Sequence, residues 1–204
     1  MKQYPSIPGP SKAPLGKKGI AFYKYDGSNL RWEWSRKRGF YKAGTRTQLL
    51  DSTDPILGGA VELFHDLYAK SISEILRDIE KERAVVFTEY FGPSSFAGTH
   101  VPGDKMELKL FDVSLFKKGI LVPKEFVKHF GHLSFCAEVI YEGNLNKEFI
   151  DNVRNSRYNG LNEGVVFKGG SAHNDLWMVK IKTYVYLERL KAVFHNGWQK
   201  FGEE

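Results

Sequence analysis

The chain has almost no cysteine, no long apolar run and no recognisable metal-binding motif. Cys136 is the single cysteine among 204 residues, which excludes an internal disulfide and a thiolate metal cluster. The six histidines show no HExxH or comparable ligand spacing, so they give no reason to expect a metal centre. No apolar stretch is long enough to cross a membrane, and no signal-peptide pattern is present. These absences predict a soluble globular protein without a membrane partner.

Positive charge is in excess and is concentrated in one stretch. The chain carries 30 lysines and arginines against 24 acidic residues, a formal net charge of +6, which favours a polyanionic partner. Residues 31–46 interleave cations with aromatic rings. The cations are Arg31, Arg36, Lys37, Arg38, Lys42 and Arg46, the rings are Trp32, Trp34, Phe40 and Tyr41, and Glu33 is the single carboxylate. Such a stretch is able to bind phosphates and stack on bases. A solvated hairpin with one packed face explains the same pattern, and both interpretations stay open.

The periodicity of the apolar residues predicts an α+β protein. Strands are predicted over residues 19–23, 30–35, 40–45, 84–88, 107–113, 163–168 and 177–183. Helices are predicted over 54–79, as one helix or as two with a break near Ser71, and over 123–131, 146–155 and 184–194. The composition of residues 1–18 predicts an extended, partly ordered arm, and the composition of residues 94–104 predicts an irregular loop. Because no linker or repeat interrupts this pattern, we expect one domain over 1–204.

Lys24 stands at the end of the first predicted strand. Asp26 and Gly27 come next and turn the chain sharply. A lysine held on rigid backbone beside a carboxylate is a candidate amine nucleophile. Taken alone the motif is weak, because a Lys-x-Asp-Gly turn on a protein surface is commoner than a nucleophile.

Further charged and aromatic residues stand at the ends of other predicted strands. Lys180 and Lys182 are two apart, so both amines project from one face of their strand. Parallel amines repel each other, and a polyphosphate would supply the anion between them. Phe111 offers a flat surface for a base, while Glu89 and Glu163 offer acceptors for sugar hydroxyls or a hydrated Mg²⁺.

Five short motifs occur in the order and approximate spacing of one enzyme superfamily. They are KYDG at 24–27, TEYFG at 88–92, KLFDV at 109–113, EGVVFK at 163–168 and VKIK at 179–182. The chain thereby resembles the covalent nucleotidyltransferase superfamily of polynucleotide ligases and capping enzymes. Asn29 stands where DNA ligases usually have arginine, which is similar to the phage-type RNA ligases. The segments 44–47 and 89–100 resemble the same branch, which includes small viral proteins classed as RNA ligase domains.

This resemblance implies a fold, an activity and a set of roles. The fold is an α+β nucleotidyltransferase core, in which mainly antiparallel sheets form a nucleotide-binding groove and helices pack outside. The activity is that of an ATP-dependent RNA ligase: Lys24 forms a lysine–AMP intermediate, the AMP passes to a 5′-phosphate end, and a 3′-hydroxyl displaces it. The resemblance implies catalytic roles for Lys24, Asp26, Lys180 and Lys182. It assigns the nucleotide to these lysines together with Arg46, Glu89, Phe111, Glu163 and Val166: Glu89 binds the ribose, Phe111 and Val166 pack on the adenine, and Lys180 and Lys182 bind the α-phosphate. Nucleic acid is assigned to Arg36, Lys37 and Arg38, and its 5′-phosphate to Asn29 and Arg46. Asp26, Glu89 and Glu163 are implied to steer Mg²⁺ or Mn²⁺ through its waters. Lys168 is expected at the lip of the groove.

The chain departs from the superfamily pattern after the VKIK strand. Ligases of this kind normally continue into a second domain, whereas residues 183–204 alone remain here. The expectation is therefore a stand-alone monomer or a catalytic domain completed by a partner domain or chain. Three alternatives to an RNA ligase stay open: a DNA nick ligase, a capping-type guanylyltransferase and an inactive nucleic-acid-binding relative. The expected location is the cytoplasm of a bacterium or of a virus-infected host cell.

Overall fold

The fold is built from two antiparallel sheets, and the computed structural model describes it for residues 2–92 and 103–202. The strands are β1 Lys18–Lys24, β2 Ser28–Ser35, β3 Gly39–Gly44, β4 Leu49–Leu50, β5 Arg83–Phe91, β6 Glu107–Leu115, β7 Gly119–Ile120, β8 Val139–Asn144, β9 Gly164–Gly169 and β10 Trp177–Lys182. A four-stranded sheet has the order β10-β9-β1-β8, and a six-stranded sheet has the order β4-β3-β2-β5-β6-β7. The predicted α+β class with antiparallel sheets is confirmed.

The described residues contain five α-helices, four of which pack against the sheets while the last packs mainly against the turn that follows it. They are α1 Gly58–Leu67, α2 Ala69–Asp78, α3 Pro123–Phe130, α4 Lys147–Arg154 and α5 Tyr184–Phe194. The predicted long helix is two helices, and the break falls at Tyr68 rather than near Ser71. Asn146 caps α4 by accepting a hydrogen bond from the Phe149 amide at 2.7 Å, as its residue type favours.

Three strands are absent from the sequence prediction. The two-residue strands β4 and β7 are too short to give a pattern. The third, β8, is half-buried or exposed along its whole length and contains Glu142, Gly143 and Asn144, which are poor strand formers. It forms because β1 offers it a partner edge, with Lys18 opposite Asn144 and Ile20 opposite Glu142. Tertiary pairing, and not local propensity, decides this strand.

The chain passes from one sheet to the other at the turn after Lys24. The strand β1 belongs to the four-stranded sheet and ends at Lys24, whereas β2 belongs to the six-stranded sheet and starts at Ser28. Gly27 lies in this crossover, where a Cβ atom would collide with the backbone oxygen of Tyr90. The turn therefore needs glycine for close backbone approach. The KYDG segment joins the two walls of the fold.

The larger hydrophobic core lies on the six-stranded sheet and takes in Ile20 and Phe22 of β1, a smaller core lies on the four-stranded sheet, and a third cluster lies between the sheets. Helices α1, α2 and α3 cover one face of the six-stranded sheet, where Trp32 and Trp34 are buried. Helix α4 covers the four-stranded sheet through Phe149 and Val153. The two tryptophans therefore serve the core: Trp32 stacks on Phe64 with ring centroids 3.9 Å apart. Base stacking by these two indoles, one of the interpretations of the basic stretch, is wrong.

The N-terminal arm is more ordered than its composition indicates. Tyr4 is buried against Phe87 and Phe111, with ring centroids 5.0 Å away in both cases. The carbonyl of Pro8 accepts a hydrogen bond from the Lys180 amide at 2.9 Å, which ties the arm to β10. The arm thereby spans from the six-stranded to the four-stranded sheet. Most of the predicted irregular loop, 94–102, lies outside the described residues.

No helix in the described ranges is long and apolar enough to cross a membrane.

Phe64 is the central residue of the larger core. It is fully buried, stacks on Trp32 and meets the edge of Phe40 with a centroid distance of 4.8 Å. We expect Phe64→Ala to lower the free energy of unfolding by about 3–5 kcal/mol, because it removes these contacts and leaves a cavity. Leu67→Ala on the same helix is the control, since Leu67 is 62% exposed and should cost about 0.5 kcal/mol or less. Equal losses in equilibrium urea unfolding would contradict this account of the core.

Candidate active site

The strand register brings the predicted nucleophile beside a lysine far away in sequence. In the four-stranded sheet, Lys24 pairs with Gly164 on one side of β9, and Lys182 pairs with the same glycine on the other. Gly164 has φ +148°, and a Cβ there would collide with the Ile181 backbone oxygen. Only glycine fits between the two lysine strands at this point. Glu163, the preceding residue, lies at the same end of the sheet.

Glu163 is a buried carboxylate shared by two amines. Its Oε1 atom lies 2.9 Å from Lys24 Nζ and 2.8 Å from Lys182 Nζ. The Glu163 side chain is 3% exposed and that of Lys182 is 6% exposed, whereas Lys24 retains 23%. The protein therefore supplies an anion of its own between Lys24 and Lys182, whereas the polyphosphate predicted from the sequence concerns Lys180 and Lys182. Lys24 is the member of the pair that stays open to solvent.

The carboxylates around Lys24 govern its charge. Burial by itself would lower the pKa of Lys24, but Glu163, Glu89 and Asp26 together raise that pKa above its ordinary value. Burial raises the pKa of Glu89 to about 7, and Lys24 opposes only part of this shift. The amine is therefore held in its charged form at neutral pH, next to a carboxylate that titrates there.

A pocket of about 290 Å³ lies between the two sheets in front of Lys24. Predicted site residues that line it are Lys24, Asn29, Arg46, Glu89, Phe111, Val166, Lys180 and Lys182. Asp26 and Glu163 lie behind the wall of the pocket, at 5% and 2% exposure. Phe111 comes from β6 of one sheet and Val166 from β9 of the other. A flat ring entering this pocket has an apolar side chain available from each wall.

A buried ion pair forms part of the same wall. Lys168 Nζ lies 2.7 Å from Asp112 Oδ2 and donates to the Phe111 carbonyl at 2.8 Å. The Tyr4 hydroxyl donates a short hydrogen bond to the same Asp112 oxygen. Lys168 is 1% exposed, so its expected place at the lip of the groove is wrong. Lys168 instead anchors the strand that carries Phe111.

Two tyrosines at this site are missed by sequence reasoning. Tyr186, on α5, donates to Asp26 Oδ1 at 2.7 Å, and its ring centroid lies 4.5 Å from Lys182 Nζ. Tyr4, on the N-terminal arm, lines the pocket. Neither belongs to a recognised motif, and a buried tyrosine in a terminal segment looks like ordinary core. The apolar spacing of α5 predicts a docking helix without indicating that it docks beside Asp26.

The predicted nucleic-acid residues at the tip of the hairpin lie away from this pocket. Arg36, Lys37 and Arg38 are exposed at the turn between β2 and β3. Asn29, near the start of β2, lines the pocket. At about 3.3 Å per residue, the hairpin tip lies roughly 23 Å from Asn29 along the strand. Of the five predicted nucleic-acid-binding residues, Asn29 and Arg46 therefore line the pocket, whereas the three at the hairpin tip do not.

The carboxylates do not form a closed metal cage. Within residues 2–92 and 103–202, no group of three or more histidine, cysteine, aspartate or glutamate side chains is placed to hold a metal ion. Asp26 accepts the Tyr186 hydroxyl. Glu163 Oε2 is buried and has no hydrogen-bond partner in the part of the chain that the structure describes. These donors fit a hydrated ion that is also held by substrate phosphates, which is how Mg²⁺ usually binds.

No protein-family model and no curated protein matches this chain. Solved structures do match. The RNA ligase of Naegleria gruberi superposes with a TM-score of 0.67 at 17% identity over 94% of this chain. The putative ATP-dependent DNA ligase from Aquifex aeolicus gives 0.66 at 22% identity, also over 94%. The chain has the ligase nucleotidyltransferase fold.

This ligase fold confirms what the five motifs implied about architecture. The chain spans 58% of the Naegleria protein and 52% of the Aquifex protein. The Naegleria ligase has also been solved with AMP and manganese, and that structure matches with a TM-score of 0.65 at 16% identity. Another structure of the same ligase contains ATP and manganese, with a TM-score of 0.61.

Neutralising Glu163 should free the Lys24 amine. We expect Glu163→Gln to lower the pKa of Lys24, because it removes a carboxylate that raises this pKa and leaves Lys182 to repel the ammonium. The measurement is the pH dependence of Lys24 labelling by an amine-reactive reagent, read by peptide mass spectrometry. The labelling curve should move to lower pH. Glu142→Gln, an exposed carboxylate on β8, is the control and should leave the curve unchanged. An unshifted curve in Glu163→Gln would mean that Glu163 does not set the charge of Lys24.

Proposed function

We propose that this protein is an ATP-dependent polynucleotide ligase that acts through a lysine–AMP intermediate on Lys24. The observation that carries the proposal is the placement of the Lys24 amine. It is held by Glu163 at the mouth of a pocket that has Phe111 on one wall and Val166 on the other. A pocket with an aromatic wall and converging cations suits a nucleoside triphosphate. The ligase fold and the five motifs support the same assignment.

The first step is the transfer of AMP to Lys24. The lone pair of Nζ forms a bond to the α-phosphorus, and the bond from that phosphorus to the bridging oxygen breaks. Pyrophosphate leaves with the electron pair. The nitrogen gives up one proton before attack and a second as the new bond forms. Glu163 Oε1, 2.9 Å from Nζ, is placed to accept a proton and pass it to water.

The remaining pocket residues position and neutralise the phosphates. Phosphoryl transfer gains mainly from alignment and charge stabilisation. Lys180 and Lys182 are assigned to the α-phosphate because both line the pocket. They lie on β10, which pairs with β9, the strand that also pairs with β1 and Lys24. Glu89 is assigned to the ribose, and Phe111 with Val166 to the adenine.

A divalent ion, Mg²⁺ or Mn²⁺, would neutralise the phosphates of the bound triphosphate. Glu89, which lines the pocket, would hold its waters, and Glu163, whose Oε2 atom is buried without a hydrogen-bond partner among the described residues, would contribute charge from behind the pocket wall. Asp26 contributes charge at longer range, since Tyr186 already donates to it.

Later steps transfer the AMP to a nucleic acid and join the ends. The AMP passes from Lys24 to a 5′-phosphate, and a 3′-hydroxyl then displaces AMP to form the phosphodiester. Asn29 and Arg46 line the pocket next to Lys24 and are assigned to the 5′-phosphate. We propose RNA as the substrate because Asn29 matches the phage-type RNA ligase pattern. A DNA nick ligase is the second candidate, favoured by the structural match to the Aquifex protein.

Replacing Lys24 by arginine tests the nucleophile. Lys24→Arg keeps the positive charge but removes the amine, so the AMP adduct should be abolished while ATP binding remains. The measurement is incubation with labelled ATP, and in parallel with labelled GTP, before denaturing electrophoresis. The wild type should be labelled by ATP, and label from GTP alone would indicate a capping-type enzyme.

A nucleic acid whose 5′ end already carries AMP provides the control for Lys24→Arg. Lys24→Arg should still seal such ends to some extent, because the later step does not need the nucleophile. An adduct of normal yield in Lys24→Arg would place the nucleophile elsewhere and overturn the proposal. Absence of any adduct in the wild type with either nucleotide would favour an inactive nucleic-acid-binding relative.

The sugar preference is a separate expectation. An RNA ligase should seal a nick with ribonucleotides on the 3′-hydroxyl side faster than an all-DNA nick, because the 2′-hydroxyl adds a donor and an acceptor. Matched nicked duplexes that differ only in these terminal sugars, already adenylylated, isolate the sealing step. Equal rates would remove the reason for preferring RNA over DNA.

A further inference from the structure

A second cavity, of about 550 Å³, opens on the six-stranded sheet and shares no lining residue with the nucleotide pocket. Its walls come from the first residues of the chain, the start of β5 and the turn between β6 and β7. None of the five motifs falls in these segments. The proposed adenylylation step makes no use of this cavity.

The cavity is strongly basic. Lys2, Arg83, Lys117 and Lys118 line it, and Glu33 is the one carboxylate among the described lining residues. Arg83, Lys117 and Lys118 are all exposed. Cations that come from separate segments and converge on one concave surface favour a ligand with several negative charges.

Aromatic rings stand beside these cations. Phe116 is 53% exposed, and the Arg83 guanidinium lies 4.6 Å from its ring centroid. Tyr41 lines the same cavity, and the Arg38 guanidinium lies 4.0 Å from the centroid of the Tyr41 ring. Exposed rings and planar guanidinium groups are the surfaces on which proteins stack nucleic-acid bases. Charge and stacking surfaces together distinguish this cavity from a merely solvated basic turn.

The cavity lies on the same face of the sheet as the nucleotide pocket. Glu89 lines the pocket and Val85 lines the cavity, and residues four apart on β5 point to the same side. Their separation along the strand is roughly 13 Å at about 3.3 Å per residue. A duplex advances about 3.4 Å per nucleotide along its axis. A strand whose end lies beside Glu89 would therefore reach the Val85 side of the cavity after about four nucleotides.

We infer that this cavity binds a polynucleotide strand about four nucleotides or more from the end that is being joined. Arg83, Lys117 and Lys118 contact backbone phosphates, and Phe116 stacks on a base. This inference rests on the proposed ligase function, because it takes the end of the strand to lie at Lys24. It assigns a strand-binding role to residues outside the nucleotide pocket and outside the hairpin tip.

A charge-matched pair of triple variants tests the inference. The cavity variant is Arg83→Gln with Lys117→Gln and Lys118→Gln. The control variant is Lys70→Gln with Lys147→Gln and Arg189→Gln, which removes the same charge from exposed helix positions. Affinity is measured by fluorescence anisotropy over a range of salt, using nicked RNA duplexes with arms of three or twelve nucleotides on each side of the nick.

The wild type and the control variant should bind the long-armed duplex more tightly than the short-armed one. The cavity variant should lose this gain, and its salt slope on the long arm should fall by about 2, since each lost phosphate contact removes about 0.7–0.9. Phe116→Leu should weaken long-arm binding by about fivefold or more without changing the salt slope.

Equal losses in both triple variants, or an equal loss on short and long arms, would overturn the inference. The Lys24 adduct is measured in parallel and should form normally in both variants. If the wild type forms no adduct but shows the cavity-dependent gain, the ligase proposal fails while strand binding stands. If the adduct forms and the gain is absent, the strand-binding inference alone fails.

Discussion

The site depends on one buried carboxylate that two amines share. Glu163 is enclosed at the end of the four-stranded sheet and would be costly to ionise there without counter-charges. Lys24 and Lys182 supply those charges at hydrogen-bond distance. The register at Gly164 holds both lysine strands at the spacing that this arrangement requires. Removing the carboxylate would leave two ammonium groups facing each other without their anion, so the constraint acts on three strands at once.

The pocket wall formed by the six-stranded sheet also depends on a buried ion pair. Asp112 and Lys168 form a second buried pair that crosses between the sheets, and Tyr4 completes it from the N-terminal arm. This pair fixes the strand that presents Phe111. The pocket is thus preorganised from both sides by ion pairs in its walls.

The sequence predicts which motif residues meet at the pocket, but it does not predict the residues that hold them in position. Lys24, Glu89 and Lys182 occupy short patterns whose spacing is restrictive, so five weak matches in series are informative. Tyr186 reaches Asp26 from a helix whose apolar pattern is ordinary. Strand β8 joins three strand-favouring residues, Val139, Ile140 and Tyr141, to three poor strand formers, and it pairs with β1 along its length. Such features depend on contacts between distant segments, which local propensity and periodicity do not encode.

The place of β1 in the sheet also governs when the site can exist. Its partners β8 and β9 are the eighth and ninth strands of the chain, so the strand that carries Lys24 has no partner until most of the chain is available. The larger core draws mainly on α1, α2 and strands β2 to β6, which are closer in sequence, and adds Ile20 and Phe22 of β1 and Phe126 and Phe130 of α3. Loop-closure entropy favours the nearer contacts first. We therefore expect the pairing of β1 with β8 and β9, which completes the surroundings of Lys24, to follow formation of most of the larger core.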